Sequence, residues 1–127
     1  MRAVDTSAWI EWLLLSQTGA ELATKMPDID ECVVPTMVQL ELAKWLTREV
    51  SVEISDDVIA HTHKCVVVML DSEIAASAAE LSRAHRLATA DAVIYATALA
   101  SGADLLTCDA HFEGLPGVAY FAKARRN

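Results

Sequence analysis

"TADAVIYATALASGADLLTCDAHF", residues 89 to 112, decides how this chain folds. Thr89 heads a run whose apolar residues leave no polar stripe, and Gly102 closes it, so the run predicts a helix buried on most sides. "DLLTC" follows as a short strand, and Asp109 stands where that strand stops. A helix leading directly into an apolar strand is half of a βαβ unit. Beyond it, Gly114, Pro116 and Gly117 mark a loop, where an aspartate has an ordinary use as a turn residue. The same position is also the carboxyl end of a strand, where open parallel sheets hold their ligands.

Outward from this block the alternation continues. "RAV" reads as a first strand ended by "DTS", with Ser7 expected to cap a helix that carries Trp9, Trp12, Leu13 and Ala20 at helical spacing. After the polar loop "PDIDE" comes a second strand, "CVV", and Pro35 and Thr36 open a helix over Met37 to Arg48. "SDDVIAHTHK" predicts a helix capped by Ser55, with Asp56 and Asp57 placed to suit its dipole. "CVVVML" is the third strand, "SEIAASAAELSRAH" a helix capped by Ser72, and "GVAYF" a fifth strand at the edge. The pattern predicts an α/β fold with a central parallel sheet of about five strands flanked by helices.

With 127 residues, 54% hydrophobic and 22% charged, the chain suits a single domain over residues 1–127 with a real core. No apolar stretch approaches the ~18 to 20 residues of a membrane span. Asp5 and Glu11 interrupt the start where a signal peptide needs an apolar run, so a cytoplasmic protein is expected. Cys32, Cys65 and Cys108 are odd in number and form no C-x-x-C, which predicts reduced core thiols. The net charge of −8 argues against a protein that coats nucleic acid by charge alone, and whole-chain charge discriminates only weakly. Nucleic acid as a substrate stays open, because a bound divalent cation inverts the local potential and "KARRN" adds a small basic tail.

Four carboxylates stand out from the eighteen. Asp5 directly follows the first strand, where a cap or turn is its ordinary role. Asp91 is the only charged residue between Arg86 and Asp104 and heads the apolar helix, so it is a desolvated acid in want of a partner. Glu41 has Val38 and Trp45 on one flank and Lys44 and Arg48 on the other, which permits either a surface ion pair or a site role. Asp5 and Asp109 both sit at strand ends and should share one rim of the sheet. Two carboxylates ~4 Å apart repel by ~4 kcal/mol at an effective dielectric of 20, so a converged set needs cations. Oxygen-only donors suit hard ions such as Mg²⁺ or Mn²⁺, and such a site serves phosphoryl transfer.

These residues resemble a known family. "VDTSAWIEWL", "VPTMVQLELAKWL", "VVVMLDSEIAASAAEL" and "RLATADAVIYATALASGADLLTCDAHF" are similar, in the same order and over nearly the whole chain, to PIN-domain ribonucleases, specifically the stand-alone toxins of the VapC type. The block T-A-D-A-x-I-x-A-T-A followed by T-x-D-x-x-F carries most of the likeness. The resemblance implies a PIN-like fold and assigns Asp5, Glu41, Asp91 and Asp109 as the catalytic acidic quartet that holds Mg²⁺, with Mn²⁺ as a substitute. Asp5 and Asp91 would be the principal ligands; Thr6 or Ser7, and Thr107, fall where the family has hydroxyls near the metal. It further implies hydrolysis of RNA phosphodiester bonds by a metal-activated water, leaving a 5′-phosphate and a 3′-hydroxyl. A small cognate antitoxin that lies across the acidic site, and a homodimer, are the implied partners.

Other residues carry ordinary readings. His61 and His63 lie two apart and face different sides of a helix, so they make no metal pair. His111 reads as a rim histidine in a turn, with contact to RNA phosphate as the sharper option. Trp9, Trp12 and Trp45 keep core or dimer-contact spacing. Among other functions, a Mg²⁺-binding phospho-acceptor receiver domain needs adjacent acids after the first strand and a lysine ending a late strand, and a D-x-D phosphatase needs an acid at residue 7. Neither pattern is present. A PIN-like RNA- or protein-binding module without catalysis is the remaining alternative, and an intact quartet argues against it.

Overall fold

The computed structural model describes residues 1–124. Five strands, β1 (Arg2–Val4), β2 (Cys32–Pro35), β3 (Val66–Val68), β4 (Asp104–Thr107) and β5 (Val118–Tyr120), form one sheet in the order β3-β2-β1-β4-β5. Every pairing is parallel. Six α-helices flank it: α1 (Thr6–Leu13), α2 (Gln17–Leu22), α3 (Thr36–Glu49), α4 (Val52–Thr62), α5 (Ser72–His85) and α6 (Thr89–Ala100). The expected α/β architecture of about five strands is therefore the observed one.

The order places the functional rim. From central β1 the chain runs out to β2 and β3 on one side, then crosses to β4 and β5 on the other. The reversal lies between β1 and β4, whose Val4 and Leu106 are register partners. Beyond the carboxyl ends of strands at such a reversal, the loops diverge and open a crevice. Val33, Val34, Leu105 and Leu106 are fully buried, as strands covered on both faces must be, which is why they read as apolar runs without alternation. Ala92 to Ala98 in α6 are buried without a break, as the stripe-free sequence predicts.

Several local expectations are corrected. Ser7 does not cap α1: Asp5 occupies the N-cap position, and its side chain makes no capping bond. The first helix stops at Leu13, because the chain turns at Leu15 (φ 54°) and restarts as α2 with Ser16 as cap; Ala20 belongs to this second helix. Ser55 lies inside α4, which begins a turn earlier with Ser51 as the cap accepting from the Ile54 N–H at 3.1 Å. Asp56 and Asp57 are thus mid-helix residues. In α5 the cap is Asp71, one residue before Ser72. β3 is shorter than "CVVVML", since Met69 and Leu70 emerge into solvent. Cys32 and Cys108 are buried free thiols and Cys65 is half-buried. Burial pushes the Cys32 thiol up to about 12 and Cys108 to about 11, so neither is a thiolate at neutral pH. The basic tail lies largely outside the described residues, which end at Ala124.

Candidate metal centre

Asp5 is delivered by β1. Its backbone N–H donates to the Leu106 carbonyl at 2.9 Å, and its own carbonyl accepts from Ala8 and Trp9, so the backbone starts α1 while the side chain is left for other work. That side chain sits in a residue only 3% exposed. Oδ2 accepts from Ser7 Oγ at 2.6 Å and from Thr107 Oγ1 at 2.8 Å. Ser7 in turn accepts the Cys108 N–H at 3.0 Å, and Thr107 accepts the Asp109 N–H at 3.0 Å. Each hydroxyl has one proton, and both protons point at Asp5. Two neighbouring strands are thereby clamped onto one carboxylate.

Glu41 comes from the second turn of α3, and Thr6 Oγ1 donates to its Oε1 at 2.6 Å. Among the described residues it forms no ion pair with Lys44, and Arg48 turns instead to Glu49 at 2.8 Å. The surface-pair reading of Glu41 is not what the fold adopts. Asp91 lies in the first turn of α6. Its side chain is only 18% exposed, and His111 Nδ1 lies 3.8 Å from its Oδ2. Asp109 keeps its turn role as well: Oδ1 accepts the His111 N–H at 2.9 Å and caps the 3₁₀ turn Ala110–Phe112.

The four acids feel one another. Burial is the largest influence raising Asp5, followed among the charges by Glu41 and Asp109; the hydroxyls of Ser7 and Thr107 pull the other way. Asp91 is pushed up to about 6, by burial first and then by Asp109, Asp5 and Glu41. A half-buried carboxylate with three acidic neighbours holds its proton because ionisation adds a like charge to a poorly solvated cluster. The four sequence-selected acids lie close enough for their charges to raise the Asp5 and Asp91 carboxyls, but the group whose donor atoms all come within 4.8 Å of one another is Asp91, Asp109 and His111, without Asp5 or Glu41. No lysine or arginine among the described residues pairs with any of them. A divalent cation fits this donor set: the groups are hard oxygens, their mutual repulsion lacks a fixed counter-charge, and one is anchored rigidly.

Sequence reasoning treated His111 as a turn residue. The structure puts Nδ1 3.2 Å from Asp109 Oδ1 as well as near Asp91, and one donor atom from each of Asp91, Asp109 and His111 lies within 4.8 Å of the others. The only available signal was its place two residues after Asp109, which gives no direction for the ring.

The five-stranded parallel sheet carries these acids at its reversal point, and the PIN domain family model matches residues 2–118. The chain belongs to the PIN domain family. Solved structures that share its fold include a chain of a toxin-antitoxin complex from Klebsiella pneumoniae, with a TM-score of 0.79 and 18% identity over 94% of this chain and 96% of that one. VapC20 from Mycobacterium tuberculosis, described as a sarcin-ricin loop cleaving toxin, has a TM-score of 0.74 and 19% identity over 93% and 97%. A chain of VapBC2 from Rickettsia felis, solved with a promoter DNA fragment, has a TM-score of 0.72 and 12% identity over 97% and 98%. No curated protein matches the chain in sequence. Among the described residues no helix is long and apolar enough to cross a membrane.

Proposed function

We propose that the protein is a Mg²⁺- or Mn²⁺-dependent endoribonuclease and the toxin of a toxin–antitoxin pair, acting as a single PIN domain. The observation that carries this reading is the convergence of Asp5, Glu41, Asp91 and Asp109 without a lysine or arginine to neutralise them. Such a cluster costs stability unless it serves a cation. A divalent ion held there would supply a water of lowered pKa and stabilise charge on a phosphate. The chain's own residues do the rest. Asp5, held by Ser7 and Thr107, and Asp91, from the first turn of α6, would be the principal residues to hold the ion. Glu41, oriented by Thr6, and Asp109, oriented by the turn it caps, complete the oxygen set directly or through water.

The partner reading rests on the relatives, which are toxin–antitoxin complexes. A largely apolar groove between α1 and α4, lined by Trp9, Trp12, Leu13, Ile54 and Val58 with Asp57 and His61, offers surface for an antitoxin helix. The groove suits an apolar face, since Leu13 and Ile54 would otherwise meet water. The homodimer is supported by exposed Leu40, Met69 and Leu70.

The test is to map RNA 5′ ends in cells producing the protein beside cells producing Asp5→Asn. New cuts confined to the unmodified protein are expected. The same ends in both, or none beyond uninduced cells, would sink the nuclease reading.

A further inference from the structure

We propose that His111 is a nitrogen donor to the ion of this centre, and that it turns the site's preference from Mg²⁺ toward a first-row transition ion such as Mn²⁺. The inference rests on the metal-centre reading above and adds to it the identity of one donor and the class of ion selected.

Spacing is the first support. His111 Nδ1 is 3.2 Å from Asp109 Oδ1 and 3.8 Å from Asp91 Oδ2, with all three donors mutually within 4.8 Å. An ion about 2.1 Å from each donor of an octahedral shell puts neighbouring donors about 3 Å apart and opposite ones about 4.2 Å apart. Both separations made by His111 fall inside that interval.

The second support is that the ring has no other employment. Neither ring nitrogen forms a hydrogen bond with a described residue, although Nδ1 comes close enough to Asp109; the bond in that turn is made by the His111 backbone N–H instead. The imidazole thus approaches two carboxylates without aiming its N–H at either, as a ring does when a shared point between them is the target. At 76% side-chain exposure a screened ion pair contributes little, so stability alone gives weak reason for the placement.

The third support is the mounting. Phe112, the next residue, is fully buried and packs edge-on against Tyr95 of α6, with ring centroids 6.2 Å apart. The backbone carrying His111 is therefore pinned to the helix that presents Asp91. One rigid unit carries both donors, and the ring alone projects to the mouth of the site. Imidazole binds first-row transition ions in preference to Mg²⁺, which demands oxygen.

The test uses the full-length protein with Mn²⁺ alone. Electron spin-echo modulation of bound Mn²⁺ reports directly bonded nitrogen, with no RNA cleavage required. The expected result is a ¹⁴N modulation that is replaced by the ¹⁵N pattern when histidine is isotopically labelled and is lost in His111→Ala. Competition should show the Mn²⁺-over-Mg²⁺ preference falling about tenfold in that variant. Circular dichroism confirms that the exposed-site variant folds. Mn²⁺ bound without nitrogen modulation, or modulation that persists in His111→Ala, overturns this proposal and leaves the oxygen site standing. Absence of any Mn²⁺ binding that Asp5→Asn abolishes overturns the metal-centre reading itself.

Discussion

Thr107 Oγ1 donates to Asp5 Oδ2 at 2.8 Å, joining two residues 102 positions apart at the switch between β1 and β4. Thr107 is fully buried, and the same hydroxyl accepts the Asp109 N–H. One oxygen therefore sets the relative placement of two acids. Thr107→Val keeps the shape and removes both bonds. It is expected to cost about 1 to 3 kcal/mol of stability in urea unfolding, because a buried carboxylate and an N–H lose a partner. RNA cleavage should fall about 10- to 100-fold, as when a residue supporting a metal ligand is removed. Unchanged cleavage would show that Asp5 is positioned by Ser7 alone.

Asp91 gives a pH signature. Its carboxyl moves from an ordinary 3.8 to about 6 in the folded protein, chiefly through burial and then Asp109. The folded chain holds this proton more tightly than the unfolded one, so stability is greatest at low pH and falls as pH rises from about 4 to about 6. The shift corresponds to about 3 kcal/mol at most. Asp91→Asn should thus unfold at a higher temperature than the parent in EDTA, with the gap widening across that pH window. Added Mn²⁺ should raise the parent's Tm and leave the variant's nearly unchanged. Parallel melting curves at pH 4.5 and 7.5 would contradict this account.

Gly19 holds α2 against α1. A Cβ there would lie 2.1 Å from the Glu11 carbonyl oxygen and 3.1 Å from Trp12 Cα, both backbone atoms that have no room to give. Gly19→Ala is expected to destabilise by about 2 to 4 kcal/mol through overpacking, measured as a lower urea midpoint with an unchanged slope.

Leu40, Met69 and Leu70 are exposed; Leu40 lies on α3 one turn after Thr36, whose Oγ1 accepts the Leu70 N–H at 3.3 Å. Leu40→Lys is expected to convert a dimer to a monomer in light scattering behind size exclusion, with secondary structure retained. A monomer before substitution would remove this surface from the partner account.

The order of strands and helices was legible along the chain because each apolar run carries its own period: β4 and α6 announce themselves in "DLLTC" and "AVIYATALA" without any distant contact. Caps were less legible. Ser51 and Ser55, or Asp71 and Ser72, offer equivalent hydroxyl or carboxylate oxygens, and the choice falls to whichever residue lets the apolar face meet the sheet. The four acids were selected from strand ends and lone charges, and the resemblance in their motifs assigned the roles.

What the sequence determined by itself was the alternating architecture and the candidates Asp5, Glu41, Asp91 and Asp109, since hydrophobic period and local charge are properties of neighbours in the chain. What only the tertiary structure decided was who meets whom. That the Asp5 side chain at the N-cap accepts from Ser7 and Thr107, that Thr6 claims Glu41 ahead of Lys44, and that His111 lies near Asp91 depend on β1 lying between β2 and β4. Side-chain direction at a strand end is fixed by packing from elements a hundred residues away, and no local pattern encodes it.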